Sequence, residues 1–175
     1  MSSFAKKSFS VVAAMDEDNG IGKGGTLPWN IPSELAYFKF LTSSSPNGKR
    51  NAVIMGRKTW ESIPLKYRPL KDRFNVVLTR HTDNLTETEG AVSFSSLNVA
   101  LDFLSRNENV NNVFVIGGGE LYREAVFHPA CSTIFLTTVK GNFNCDVFFP
   151  ELGPTWKCVE SYENSEWTSA IYERE

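Results

Sequence analysis

Six short runs rich in β-branched and aromatic residues recur along the chain: FSVVAAM (9–15), NAVIM (51–55), FNVVLT (74–79), AVSFS (91–95), VFVI (113–116) and TIFLTTV (133–139). Several are apolar throughout and do not alternate. A strand with hydrophobic side chains on both faces must be covered on both, which is the situation of strands in a mostly parallel sheet. Segments of helical period lie between the runs. SLNVALDFL places Leu97, Ala100, Leu101 and Leu104 on one face behind a candidate cap at Ser96, and GELYREAVF follows the same period from Gly119. Strand and helix in alternation predict an α/β sheet wound by right-handed crossovers. WKCVESYE (156–163) and SAIYERE (169–175) read as an antiparallel pair joined through NSEWT. The expectation is a single α/β domain over 1–175: a mostly parallel central sheet of about eight strands, an antiparallel C-terminal hairpin and about four flanking helices.

One core suits the length, because 175 residues, 41% of them hydrophobic, can bury a full core but are few for two. Eighteen basic and 20 acidic residues are spread along the chain and leave a formal charge of −2. That balance makes no field to gather nucleic acid or an anionic membrane, so the expected partner is a small molecule. Cys131, Cys145 and Cys158 stand singly, without a CxxC pair or a histidine set, which points to no metal centre and no disulfide framework and suits a reducing compartment. KKSFSVVAAM has a short apolar run and no cleavage pattern before DEDNG, so it reads as a first strand and not as an export signal. No segment reaches the ~18 continuous apolar residues of a membrane span. SSSPNGKRN (43–51) and RHTDNLTETEG (80–90) read as exposed loops too short to link domains.

Chemistry gathers at the ends of the runs. VFVIGGGELY passes from a buried strand through Gly117, Gly118 and Gly119 into a helix, leaving unpaired backbone N–H groups at a positive dipole end where a pyrophosphate or a tight structural turn fits equally. Glu120 is expected to point outward and assist the helix start. NAVIMGRKTW brings Gly56, Arg57, Lys58 and Thr59 to a second strand end, and VVLTRH brings Thr79 and Arg80 to a third. In open α/β sheets the ligand crevice lies outside those ends, and three cations there suit a phosphate dianion. Gly20, Gly22, Gly24 and Gly25 precede a helix, as in a loop that closes over a site. On that helix Glu34 falls among Ile31, Leu35, Phe38 and Leu41, on the stripe expected to face the core. A buried carboxylate must take up a proton or meet donors, and no cation lies within one turn on that face.

Leu27-Pro28-Trp29, Glu34, Gly56-Arg57-Lys58-Thr59-Trp60, RPLKDR (68–73), Thr79-Arg80, Gly117-Gly118-Gly119 and Tyr122 resemble, in this order and over nearly the whole chain, the dihydrofolate reductases. IPLKYRPLKDR is closer to eukaryotic than to bacterial members. The resemblance implies reduction of 7,8-dihydrofolate to 5,6,7,8-tetrahydrofolate, with hydride passing from NADPH to pterin C6 and a proton to N5. That reaction supports one-carbon metabolism and thymidylate and purine synthesis. The same resemblance implies a monomeric cytoplasmic protein that uses no metal, nucleic acid or membrane. A reductase of riboflavin biosynthesis shares the fold but lacks the Leu-Pro-Trp…Glu constellation, and a silent binding module would not need Glu34, Trp29 and Arg73.

By that resemblance Glu34 pairs with the pterin 2-amino group and N3 and assists protonation at N5, Trp29 helps to hold the intervening water, and Thr137 bonds Glu34 from a neighbouring strand. Val12, Leu27, Leu35, Phe38, Ile63 and Leu70 line the substrate pocket, and Arg73 takes the α-carboxylate of the glutamate tail. Ile116 and Tyr122 border substrate and cofactor alike. Ala14 and Ile21 neighbour the nicotinamide, with Gly25 in the closing loop. Gly118 and Gly119 neighbour the pyrophosphate, Gly117, Glu120 and Leu121 are also counted as cofactor-binding, and the 117–118 peptide is cis. Gly56, Arg57, Lys58, Thr59, Leu78, Thr79 and Arg80 take the adenosine side, where positive charge favours the 2′-phosphate of NADPH. Leu35 and Thr26 stand where vertebrate members carry phenylalanine and aspartate, a difference that bears on inhibitor selectivity and not on the reaction.

Overall fold

Alternate side chains of the first strand go to opposite sides of a sheet, and both sides are buried. In the computed structural model, which describes residues 7–46, 48–81 and 90–175, the elements run β1 (Phe9–Met15), β2 (Gly20–Gly22), α1 (Pro32–Ser43), β3 (Arg50–Gly56), α2 (Arg57–Ser62), a 3-10 turn at Leu65–Tyr67, β4 (Arg73–Leu78), β5 (Ala91–Phe94), α3 (Leu97–Ser105), β6 (Val110–Gly117), α4 (Gly119–Phe127), β7 (Cys131–Val139), β8 (Val147–Phe148), β9 (Trp156–Glu163) and β10 (Trp167–Arg174). Val11 and Ala13 join Ile54, Val76 and the apolar faces of α3 and α4 in one core layer. Val12 joins Val53, Met55, Trp60 and Val77 in the other, with Phe38 and Leu41 of α1 packed against them. The continuous apolar runs are explained by this double covering.

The eight main strands lie in the order β5-β4-β3-β6-β1-β7-β10-β9. The first six are mutually parallel, and β10 runs antiparallel to both β7 and β9. The expected sheet, hairpin and helices are therefore present. Ser96 caps α3 as anticipated, its Oγ accepting from the Val99 amide at 3.2 Å, a contact worth about 1 kcal/mol in such positions. Most of the loop expected at 80–90, and Asn47 of the loop at 43–51, lie outside the described residues.

Two expectations need correcting. The stripe on α1 does not face the core as a block: its buried residues are Glu34 and Thr42, both polar, while Leu35 is 48% exposed. Leu35 lies only about 20° round the helix from the buried Thr42, so angle does not separate them; Leu35 stands in the first turn of α1 and Thr42 in the last. The second concerns the glycine-rich segment, which is not wholly loop. Gly20–Gly22 pairs antiparallel with Val147–Phe148 as a two-stranded ribbon.

Candidate active site

The carboxyl ends of β1, β3, β4, β6 and β7 all open on one side of the sheet, as parallel pairing requires. β1 and β6 pair only through Ser10–Phe114 and Val11–Val115 and then part. Parting strands leave carbonyls without ladder partners, and a buried carbonyl needs a donor. Tyr122, buried on α4, supplies it: its hydroxyl lies 2.8 Å from the carbonyls of both Val12 and Ile116. Burial and the nearby Glu34 charge both push the phenol far above its ordinary pKa, so it remains a donor.

On the β6 side of the gap stands the glycine turn. The Gly117–Gly118 peptide is cis and Gly117 has φ 128°, a region that favours glycine. A Cβ on Gly118 would stand 3.2 Å from Thr59 Oγ1, and one on Gly119 would stand 2.7 Å from Val147 Cγ1. Without side chains the turn brings its backbone close to α2 and the ribbon at the start of α4, the kind of cradle that a dinucleotide pyrophosphate requires. Arg57 and Lys58 are exposed at the start of α2, Arg80 is exposed after the buried Thr79, and Glu120 points outward as expected. Arg57 is held by Glu61, Nε to Oε1 2.8 Å, across one turn of α2.

On the other side Glu34 lies at 6% exposure. Its carboxylate has no hydrogen-bond or ion-pair partner among the described residues, and burial alone pushes it up to about 6. The bond expected from Thr137 is therefore absent: Thr137 is buried on β7 between Ala14 and Ser169, but the carboxylate is left without a protein donor. Trp29 is also buried and its Nε1 donor has no acceptor among the described residues. Its ring meets that of Phe143 edge-on, centroids 5.4 Å apart. Trp167 anchors the first turn of α1, Nε1 donating to Ser33 Oγ at 2.9 Å.

Arg73 is buried at the start of β4, with Nε donating to the Lys71 carbonyl at 2.9 Å and Nη1 to Thr42 Oγ1 at 3.0 Å. Thr42 is in turn fixed by Asn51, whose Nδ2 donates to the Thr42 carbonyl at 3.0 Å. Two edges of the guanidinium are thus spent on positioning, which presents the remaining donors in a fixed fork. Phe38, Ile63, Leu70 and Ile116 are partly buried against the core layer beneath the cleft. Leu27, like Leu35, is about half exposed, at 50%.

A family sequence profile described as dihydrofolate reductase matches residues 8–173, almost the whole chain. The chain belongs to the dihydrofolate reductase family. It is 45% identical to a dihydrofolate reductase of Heliothis virescens over 82% of this chain and 79% of that protein, and 40% identical to one of Pneumocystis carinii over 93% and 86%. A bifunctional dihydrofolate reductase-thymidylate synthase of Arabidopsis thaliana is 46% identical over 87% of this chain. The chain spans less than a third of that relative's length, 30%.

Three buried polar residues that bear on this arrangement were not singled out from the sequence. Thr42 and Asn51 hold Arg73, and a threonine eight residues beyond Glu34 on the same helix was the available signal. Asp16 is the third. It is fully buried at the end of β1, in a stretch, MDEDNG, whose three acids look alike in sequence.

Proposed function

We propose that this chain reduces 7,8-dihydrofolate to 5,6,7,8-tetrahydrofolate with NADPH as hydride donor. The reading rests above all on Glu34, a buried acid with no partner among the described residues, in the cleft beside the glycine turn. A ring that offers adjacent N–H groups, as the pterin 2-amino group and N3 do, supplies the donors the protein withholds, and a paired acid costs far less than a lone one. A carboxyl raised to about 6 changes state close to neutral pH, which suits a group that passes protons on. The Trp29 Nε1 donor is free to hold the water through which the proton reaches N5. Bound NADPH supplies the hydride that C6 receives.

The other roles follow from position. Arg73 takes the substrate's glutamate α-carboxylate with the donors that Thr42 and Lys71 leave over. Gly118 and Gly119 hold the pyrophosphate, Thr59 and Thr79 stand on the adenosine side, and Arg57, Lys58 and Arg80 take the 2′-phosphate. Val12, Phe38, Ile63, Leu70 and Ile116 exclude water from the ring site, which strengthens every polar contact within it. We also infer that residues 1–175 act as one reductase domain, monomeric and cytoplasmic, with no nucleic-acid or membrane partner. The even charge balance favours a small-molecule partner over nucleic acid or an anionic membrane; no helix of the described residues is long and apolar enough to cross a membrane.

The test is direct. Purified protein mixed with NADPH and dihydrofolate should lose the absorbance of reduced nicotinamide, and methotrexate should stop the loss. Absence of oxidation would overturn the reading.

A further inference from the structure

The fully buried Asp16 serves none of the roles above, yet its carboxylate joins two segments 127 residues apart. Oδ1 accepts from the amides of Asp18 at 2.9 Å and Gly20 at 2.7 Å, closing the turn after β1. Oδ2 accepts from the amide of Phe143 at 3.0 Å and from the Cys145 thiol, Sγ 3.6 Å away. Burial alone would raise this carboxyl, but the amides of Phe143, Gly20 and Asp18 and the Cys145 thiol outweigh it and hold the group below the usual carboxylate range. The fit is close on the other side too: a Cβ on Gly20 would overlap Cβ and Sγ of Cys145 and stand 2.9 Å from Asp16 Oδ1.

Both segments then reach the site. Phe143 presents its ring to Trp29. Gly20 begins the ribbon strand whose partner carries Val147, in contact range of Gly119, and Ile21 lies against the same glycine. The Asp146 amide adds a bond to the Gly22 carbonyl at 2.9 Å, and Asp146 Oδ2 accepts from Gly24 at 3.0 Å. We propose that Asp16 is a positioning residue that locks Phe143 and the β2–β8 ribbon together, so that Trp29 on the substrate side and the glycine turn on the cofactor side are held in register. The inference rests on the reductase reading only for its kinetic consequence. Its structural content stands without turnover.

Asp16→Asn separates the two jobs of the carboxylate. The amide oxygen can keep the Asp18 and Gly20 bonds, while the NH2 group faces the Phe143 amide, donor against donor. In spectra of protein labelled with nitrogen-15 at tryptophan, the Trp29 indole signal, assigned through Trp29→Phe, should move further than those of Trp60 and Trp156. Single-turnover hydride transfer at saturating NADPH and dihydrofolate should fall at least tenfold, with the Kd for dihydrofolate changed less than threefold. An unmoved Trp29 signal, or a Kd that weakens as much as the rate, overturns the proposal. Should the wild-type protein oxidise no NADPH, the activity reading fails while the indole signal still decides this one. If Asp16→Asn does not fold, Gly20→Ala strains the same seat without touching a charge. It should shift the Trp29 signal, and adding Cys145→Gly, which removes the overlapped atoms, should restore it; a Gly20→Ala signal identical to wild type overturns the proposal.

Discussion

Glu34 and Asp16 are both carboxylates cut off from solvent, and they sit in opposite electrostatic states. Glu34 has no donor among the described residues and its carboxyl is pushed up to about 6. Asp16 has three amides and a thiol and is held below its ordinary value. Both are closed to solvent, 6% and 0% exposed, and burial pushes both carboxyls up; Glu34 lies deeper, and only Asp16 has donors that outweigh the burial. Asp16 is finished when the chain folds, whereas on the proposed function Glu34 is left for a ligand to finish.

The comparison can be broken most severely at Glu34. Glu34→Gln should lower kcat/KM for dihydrofolate at neutral pH by a hundredfold or more, about 2.7 kcal/mol of transition-state stabilisation. The loss should shrink in acid, where substrate arrives already protonated. Steady-state assays across pH check both parts, and an unimpaired variant at neutral pH would falsify the catalytic role.

Stability should separate the two acids by sign. Asp16→Ala leaves three amides unpaired and should cost about 3 kcal/mol at pH 7 by denaturant titration. Because the folded-state value of Asp16 is depressed, its contribution is present above the unfolded value of 3.8 and fades as pH falls through the still lower folded value. Glu34→Gln should instead stabilise the unliganded protein, by about 2 kcal/mol at pH 8, since a carboxyl raised from 4.5 to about 6 penalises the charged folded form. For Glu34 the folded value is the higher one, so the wild type is free of the penalty below pH 4.5 and acquires it as pH rises through about 6. The variant's advantage should accordingly vanish in acid, and equal melting of the two proteins at pH 8 would contradict the assignment.

The smallest effect sharpens the same contrast among cations. Arg57 already has a partner in Glu61, in an exposed pair of the kind that contributes under about 1 kcal/mol. Glu61→Gln should release it and tighten NADPH by about twofold while leaving NADH unchanged. Equal changes for the two cofactors in a binding titration would remove the 2′-phosphate from Arg57.

The fold was legible because its signals are local. Uninterrupted apolar runs required covering on both faces, and Ser96 carries its cap within three residues. Glu34 was legible as well, since helical period alone turns it inward. Leu35 misled because period gives a residue's direction but not which turns of the helix are covered: Thr42, at nearly the same angle two turns later, is buried while Leu35 is not. The β2–β8 ribbon escaped notice because strands of three and two residues, GIG and VF, carry no period. Asp16 was beyond reach for a different reason: what distinguishes it from Glu17 and Asp18 is an amide at Phe143, and no spacing rule connects positions so far apart.

The seam between β1 and β6 has a further consequence. Where the ladder stops after Val11 and Val115, the Tyr122 hydroxyl lies within reach of both the Val12 and Ile116 carbonyls and can give its one proton to either, so a flat guest entering there would have no main-chain pairing to unzip. The free energy of such docking would go into gripping the guest and not into prying the strands apart.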